Sequence, residues 1–382
     1  MGIVVAHIEP VGGHAGMDYY DYGILNGLIS NGITPHLYTC DLTPYNEDYD
    51  RYTHRTFKKI YGKQPKILRG IYYIFGLFST MLHSKTKGAT LHHYHFFHSG
   101  PIELISVFLS KVFFNKVIIT LHDLSSLIGN DSVFIKWLIY NLSDAIVVQS
   151  HTCKKEFLHS NTINSSKVFV IPPGNYCHAI ALDDQNSCKK LLGIDPALKV
   201  ILFFGQIKQV KGLDILIHAV GKLAHSRNDF VLVIAGRPWK DDMTGYEELI
   251  NHYKMTDKCK LFPRFISDSE MGTFYNSADI VCVPYTKSYY SAVLLMGMSY
   301  RKVVLASDLP IFHEIVENGT DALLFNVSDP NHMATQLDTL LSDDKMRLEI
   351  STNAHQKMAT RFSWHRVGHD LMSLYQSLQE KK

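Results

Sequence analysis

Cysteine is scarce and unpaired in this chain. Six residues at 40, 153, 177, 188, 259 and 282 form no CxxC pair in 382 residues. That spacing excludes a disulfide framework and a zinc site, and it fits a reducing compartment. A long hydrophobic run is missing too. The aromatic-rich uncharged run GIYYIFGLFSTML, residues 70–82, is short of the about 20 residues a membrane span needs. MGIVVAHIEP has no basic start and is interrupted by Glu9, so it does not read as a signal peptide. Ala6 stands where a myristoylation signal requires Ser or Thr. Val11 occupies the first-glycine place of a GxGxxG loop and no GK[ST] follows, which argues against dehydrogenase and NTPase readings.

Acidic residues are absent from Arg51 to Ile102, while lysines and arginines accumulate there among aromatic residues. Ile71, Ile74, Phe75, Phe78 and Leu82 fall at helical spacing and form one apolar stripe. A basic, aromatic, amphipathic segment suits an anionic membrane surface. The alternative is a core-facing helix beside a solvated basic loop. The residues expected at the membrane are Lys58, Lys59, Lys63, Lys66, Arg69, Phe75 and Phe78. A net charge of +2 and the lack of a recognised binding module argue against nucleic acid.

What is abundant is apolar strand pattern, in a chain that is 46% hydrophobic. GIVVAHI, ITPHLYT, TLHHYHF, KVIITLH, AIVVQS and VFVIP fill the first half, and KVILFFG, FVLVIAG, KLFPRF, DIVCVPY, VVLAS and ALLFN the second. Continuous apolar strands separated by helices indicate parallel sheets covered on both faces, here in two doubly wound domains. The expected division is residues 1–178, a linker 179–196, residues 197–360, and a terminal amphipathic helix within 361–382. Ligands in such sheets bind beyond the carboxyl ends of strands.

Several candidates lie there. EPVGGHAGM places Gly12, Gly13 and Gly16 in a tight turn before a helix, a plain turn or a cradle for phosphate or sugar. His122 and Asp123 follow KVIITL, and a histidine there can bond a substrate hydroxyl near neutral pH. LHHYHFFH alternates, so His93 and His95 share a face with no carboxylate nearby in sequence, and it is not read as a metal site. Asp48 and Asp50 of NEDYD read as a solvated loop. In FFGQIKQVKGLD a strand ends at Gly205, a basic loop follows, and Lys211 stands at a helix entrance where it can neutralise a diphosphate leaving group.

FFGQIKQVKGLD resembles the strand, basic loop and helix of the retaining glycosyltransferases of family four, which have the GT-B fold. GGHAG, TLHD, DAIVVQS, VIPPGNY, ADIVCVPY, VVLASDLPIFHEIVENGTDALLF and FSWHRV agree in order, so the resemblance covers almost the whole chain. It implies an α/β fold of two Rossmann-like parallel-sheet domains with an interdomain cleft, and a terminal helix crossing back to the N-terminal domain. It also implies His122 at the reacting sugar and Gly12 and Gly13 at donor phosphate or acceptor. Gly205, Gln206, Lys211, Ser288, Ser291, Ala292, Val293 and Leu294 would lie at the donor diphosphate, and Arg264, Phe265 and Ile266 at the base. Catalysis would then rest on His122 and Lys211, with the departing phosphate taking the acceptor proton, no metal and no cofactor. The family's arginine is replaced by Gln206, and its two glutamates by Ser288 and Met296. PYTKSYYSAVLL is similar to a subset with SxxS-VLL in that place.

The reading that follows is a cytoplasmic hexosyltransferase, peripheral on the inner face of the inner membrane. It would move a sugar from a nucleotide-sugar onto a lipid-linked or glycan acceptor in surface polysaccharide assembly. The alternatives are a catalytically silent protein that binds or activates a partner transferase, and a sugar-nucleotide 2-epimerase.

Overall fold

A computed structural model describes residues 2–13, 17–113, 115–122, 132–177, 179–239 and 242–380. Gly16 and Asp123 lie outside the described residues. The chain divides into two compact units, Met1–Gly174 with Phe362–Lys382, and Asn175–Arg361.

The first unit is built on a seven-stranded sheet, entirely parallel. Its strands are β1 (Val4–Glu9), β2 (Thr34–Cys40), β3 (Thr53–Phe57), β4 (Leu91–Phe96), β5 (Lys116–Leu121), β6 (Ala145–Val148) and β7 (Val168–Val170), in the order β3-β2-β1-β4-β5-β6-β7. Aliphatic runs such as KVIITL and AIVV form its centre because both faces of a parallel sheet are covered. The strand that sequence pattern missed is β3. THRTF sits at the sheet edge, where one row of backbone groups is unpaired and polar side chains are tolerated.

The second unit holds a six-stranded parallel sheet in the order β10-β9-β8-β11-β12-β13. These strands are β8 (Lys199–Phe204), β9 (Phe230–Ala235), β10 (Cys259–Phe262), β11 (Ile280–Val283), β12 (Val303–Ser307) and β13 (Leu323–Phe325). Strand order reverses between β1 and β4 in the first unit and between β8 and β11 in the second. A crevice opens at the carboxyl ends of strands at such a reversal.

Residues 179–196 are not a free linker. Asp184 caps a helix, Gln185–Leu191, by accepting from the Ser187 amide at 2.8 Å. The Gln185 amide nitrogen donates to the carbonyls of Ser277 and Ala278, and Lys189 pairs with Asp279 at 3.1 Å. The segment is thus part of the second unit.

The terminal helix, Trp364–Glu380, belongs to the first unit and packs on helix α1 (Met17–Ser30). Its apolar face (Val367, Leu371, Leu374, Tyr375 and Leu378) joins Val5, Ile24, Leu28 and Ile118 in one core. The two helices meet through glycine. A Cβ on Gly368 would lie 2.0 Å from the Gly27 carbonyl oxygen, and one on Gly27 2.2 Å from that of Trp364. The Trp364 indole fills the space left by Gly23 and Gly174, where added methyls would come within 2.1 and 2.4 Å.

Gly368→Ala is therefore expected to cost about 1–3 kcal/mol, because the obstructing atom is backbone and cannot rotate away. Gly245→Ala, whose added methyl meets nothing within 4 Å, is the control. Urea denaturation of both variants should separate them, and equal midpoints would refute the close helix crossing.

Candidate functional site

In the second unit the candidate residues converge at the ends of β8 and β11. Gly205 ends β8 with φ +106°, and a Cβ there would meet the Val293 side chain at 3.4 Å. The strand end therefore lies against the start of the helix Ala292–Ser299. The basic loop turns through Gly212 at φ +66°, where a Cβ would lie 1.9 Å from the Pro284 carbonyl oxygen. Only glycine permits both that conformation and that approach. The Val210 carbonyl accepts from the Thr286 amide at 3.0 Å, which ties the loop to the chain beyond β11. Lys211 is thereby placed with Nζ 3.6 Å from the centre of the buried Tyr285 ring, a cation–π contact.

The serines behave differently from expectation. Ser291 caps the helix, its hydroxyl accepting from the Leu294 amide at 3.2 Å, and the Ser288 hydroxyl donates to the Tyr290 carbonyl at 2.8 Å. Both oxygens serve the local turn. What the site offers an anion is the first helical amides, Ala292 and Val293, which have no partner within the helix. Met296 is buried in the core and presents no polar atom. Arg264 is exposed and paired with Glu270 at 2.6 Å, while Phe265 is exposed and Ile266 buried beyond β10. Gln206 is partly exposed beside Gly205.

In the first unit, Gly12 takes φ +51°, and a Cβ there would collide with Thr43 at 2.2 Å. Its amide donates inward to Glu9 at 2.6 Å, and Val11 does the same at 2.9 Å. The loop expected to expose its amides instead spends two of them on the buried Glu9, leaving Gly13, which is exposed. Burial and the nearby Asp21 charge raise the Glu9 pKa well above the usual carboxylate range. Asp21 is raised likewise, chiefly by burial.

His122 sits at the end of β5 with both ring nitrogens engaged. Nε2 lies 2.7 Å from His95 Nδ1, and Nδ1 lies 3.1 Å from the Gln149 amide nitrogen. A donating Gln149 makes Nδ1 the acceptor, so Nε2–H donates to His95 and the proton of His95 falls on its Nε2. Phe97 stacks on the imidazole at 4.8 Å. Burial, with His7 nearby, lowers the His122 pKa to about 3. At neutral pH the imidazole is therefore uncharged and acts as a fixed dipole.

Behind it, His7, His93 and His95 bring one ring nitrogen each within 4.8 Å of one another. A carboxylate absent from the local sequence is supplied by Asp21 of α1, 3.4 Å from His7. His93 is held by the Tyr375 and Thr120 hydroxyls, both at 2.7 Å, so its single lone pair already accepts a hydroxyl hydrogen. Sequence reasoning missed Glu9, Asp21, Gln149 and Tyr285. Glu9 alone gave a signal, as a charge ending an apolar strand.

Sequence comparison places each unit in a known family. Glycosyltransferase Family 4 matches residues 15–175, and Glycosyl transferases group 1 matches residues 184–357. Each unit thus matches a glycosyltransferase family model. An uncharacterized glycosyltransferase of Methanocaldococcus jannaschii is 25% identical over 239 residues, covering 62% of this chain and 60% of that protein. A D-inositol 3-phosphate glycosyltransferase of Corynebacterium urealyticum is 26% identical over 249 residues, 63% of this chain and 58% of the relative. The chain thus spans less than two thirds of the length of these relatives. Anabaena HepE, solved with UDP-glucose, has the same fold (TM-score 0.75, 15% identity, covering 98% of this chain and 100% of that one). The fold is the two-domain GT-B arrangement of Rossmann-like parallel sheets.

The buried histidines give this chain a pH signature. His7, His92 and His122 are lowered to about 3, His36 and His54 to about 4, and His93 and His95 well below the usual value, chiefly by burial. An unfolded chain takes up these protons near pH 6.5 and the folded one does not. Their contribution is complete above pH 6.5 and lost as pH falls toward 3. Glu9 and Asp21, raised, act in the opposite sense and are outnumbered. Thermal melts should show the midpoint dropping between pH 7 and pH 5, and a flat or rising midpoint would contradict the neutral assignment.

Proposed function

We propose that the chain is an active, retaining, metal-independent glycosyltransferase. It moves a sugar from a nucleotide-sugar onto a lipid-linked or glycan acceptor in surface polysaccharide assembly. The observation carrying this reading is the convergence at one strand reversal of Lys211, Gly205 and the first amides of the helix Ala292–Ser299. A fixed cation and oriented amides stabilise charge developing on a departing diphosphate, which is the main electrostatic task when the phosphate oxygen itself takes the acceptor proton. Ribose and sugar contacts then fall to backbone and to neutral groups, His122 among them, since Met296 is buried. The base would lie along Arg264, Phe265 and Ile266. The UDP-glucose complex of HepE supports a nucleotide-sugar donor, and the D-inositol 3-phosphate glycosyltransferase and phosphatidyl-myo-inositol mannosyltransferase among the relatives support glycosyl transfer.

Peripheral contact with the cytoplasmic face of an anionic membrane is part of the proposal. The stripe on helix α2 (Lys66–Thr86) does not face the core: Ile67 is 82% exposed and Phe75 69%, with Ile71, Phe78 and Leu82 beside them. The buried face is Gly76, Leu77, Thr80, Met81 and Ser84. No described helix is long and apolar enough to cross a membrane.

Calorimetry against UDP-, GDP-, ADP- and CMP-sugars, followed by donor hydrolysis and transfer assays, tests the reaction. Lys211→Ala should lower kcat/KM about 10²–10³-fold. Binding without turnover would favour the silent alternative, in which Met296 marks a lost contact, and no binding at all would defeat the donor assignment. For the membrane, Lys58, Lys59 and Lys63 changed together to Glu should abolish flotation with anionic vesicles. Unchanged flotation would reduce the segment to a structural one.

A further inference from the structure

A cavity of about 390 Å³ opens in the first unit at the carboxyl ends of β1 and β4. Pro10 and Val11 form one side and His95, Phe96, Phe97 and His98 another, while α2 contributes Lys66, Arg69, Gly70 and Tyr73. The α2 residues have the i, i+3, i+4, i+7 spacing of one helix face. The start of helix α3 (Pro101–Val112) closes it with Ile102 and Glu103.

Three features of this cavity go together. First, it holds two cations in a wall that is mostly aromatic and aliphatic. Arg69 Nε is buried without a hydrogen-bond partner, and neither Arg69 nor Lys66 forms a salt bridge among the described residues. A buried guanidinium nitrogen left in that state is costly unless an anion completes it. Second, the one carboxylate among the described residues of the wall, Glu103, accepts from the Gly100 amide at 2.8 Å and caps its own helix. Third, Ile102 lies in the cavity wall and also begins the exposed apolar row Ile102, Ile105, Phe108 and Val112 of α3. That row adjoins the stripe of α2 through Tyr73–Ser106 at 3.1 Å and the Phe78 and Phe113 rings. On the other side α3 packs against the helix Val133–Leu142, whose Val133, Phe134 and Trp137 are also exposed. The cavity mouth thus stands at the edge of an apolar face spread over three helices, the first of which lies in the acid-free stretch from Arg51 to Ile102.

From this we infer that the acceptor is a lipid phosphate, its phosphate held by Arg69 and Lys66 and its chain leaving past Ile102 onto the apolar face. The inference rests on the transferase reading with a membrane-borne acceptor and narrows it from lipid-linked or glycan to a phosphate-bearing lipid. A bidentate guanidinium–phosphate contact supplies affinity, and the apolar face supplies the dwell at the bilayer that one anion contact lacks.

The test uses the whole chain without any donor, so a failed donor assignment does not affect it. Vesicles of neutral phosphatidylcholine carrying a small fraction of polyprenyl phosphate are compared with vesicles carrying the same polyprenol unphosphorylated. The phosphate vesicles should bind at least about tenfold more tightly, and Arg69→Gln should erase that difference while Arg69→Lys restores part of it. Phe75→Ser with Phe78→Ser should abolish vesicle binding but leave calorimetric binding of soluble geranyl phosphate intact. Equal binding to both vesicle types would overturn the proposal. So would inorganic phosphate binding as tightly as geranyl phosphate, which would mark a site for a free anion. A normal thermal melt of Arg69→Gln guards against simple misfolding.

Discussion

The first unit depends on one backbone crossing. Gly27 and Gly368, 341 positions apart, bring α1 and the terminal helix so close that no side chain fits between them. Close approach lets the Trp364 indole enter the space over Gly23 and Gly174, and it lays the apolar face of the helix over β1, β4 and β5. The same helix carries Tyr375, whose hydroxyl bonds His93. His93 in turn meets Thr120 of β5 and stacks near His95, which bonds His122. The terminal helix on one face of the sheet is thus linked by three side-chain contacts to the histidine at its carboxyl edge.

That route through the interior is polar but uncharged, and its neutrality follows from burial. His7, Glu9, Asp21, His93 and His95 have essentially no exposure. Ionising one of them without a partner would cost several kcal/mol, so protons redistribute instead. The edge of the first unit is therefore lined by fixed dipoles, while cations stand at the start of α2. The second unit divides the work in the same way, with helix amides and Lys211 supplying positive potential and Met296 and Tyr285 lying buried beneath it. In each unit glycine sets the geometry of the candidate loop: Gly12 against Thr43, and Gly212 against Pro284.

Much of this was legible in the residues. Runs such as KVILFFG and DIVCVPY identified strands because parallel sheets bury both faces, and glycine-ended strands marked where ligands would meet them. The basic loop with Lys211 was read correctly as lying just past a strand. The seam of the fold was less legible. THRTF has too few apolar residues to signal an edge strand, and CHAIALDDQNSCKKLLGID hides a helix whose value lies in tertiary bonds to Ser277 and Asp279. Periodicity showed that α2 has an apolar stripe but could not say which side faced water. The hydroxyls of Ser288 and Ser291 looked available until the turn claimed them. Asp21 came beside His7 through the packing of α1, which local sequence does not encode.

The placement of the terminal helix also has a consequence in time. Strands β1 to β7 are synthesised before any residue of the second unit, yet the core they share with Trp364, Leu371 and Tyr375 lacks those side chains until the last helix is made. The second unit, Asn175–Arg361, is complete in sequence before that point. On a ribosome adding about 5–20 residues per second, the half that begins first waits many seconds with α1 uncovered. The order of emergence and the order of completion are reversed, and the glycine crossing is where the delayed half finally closes.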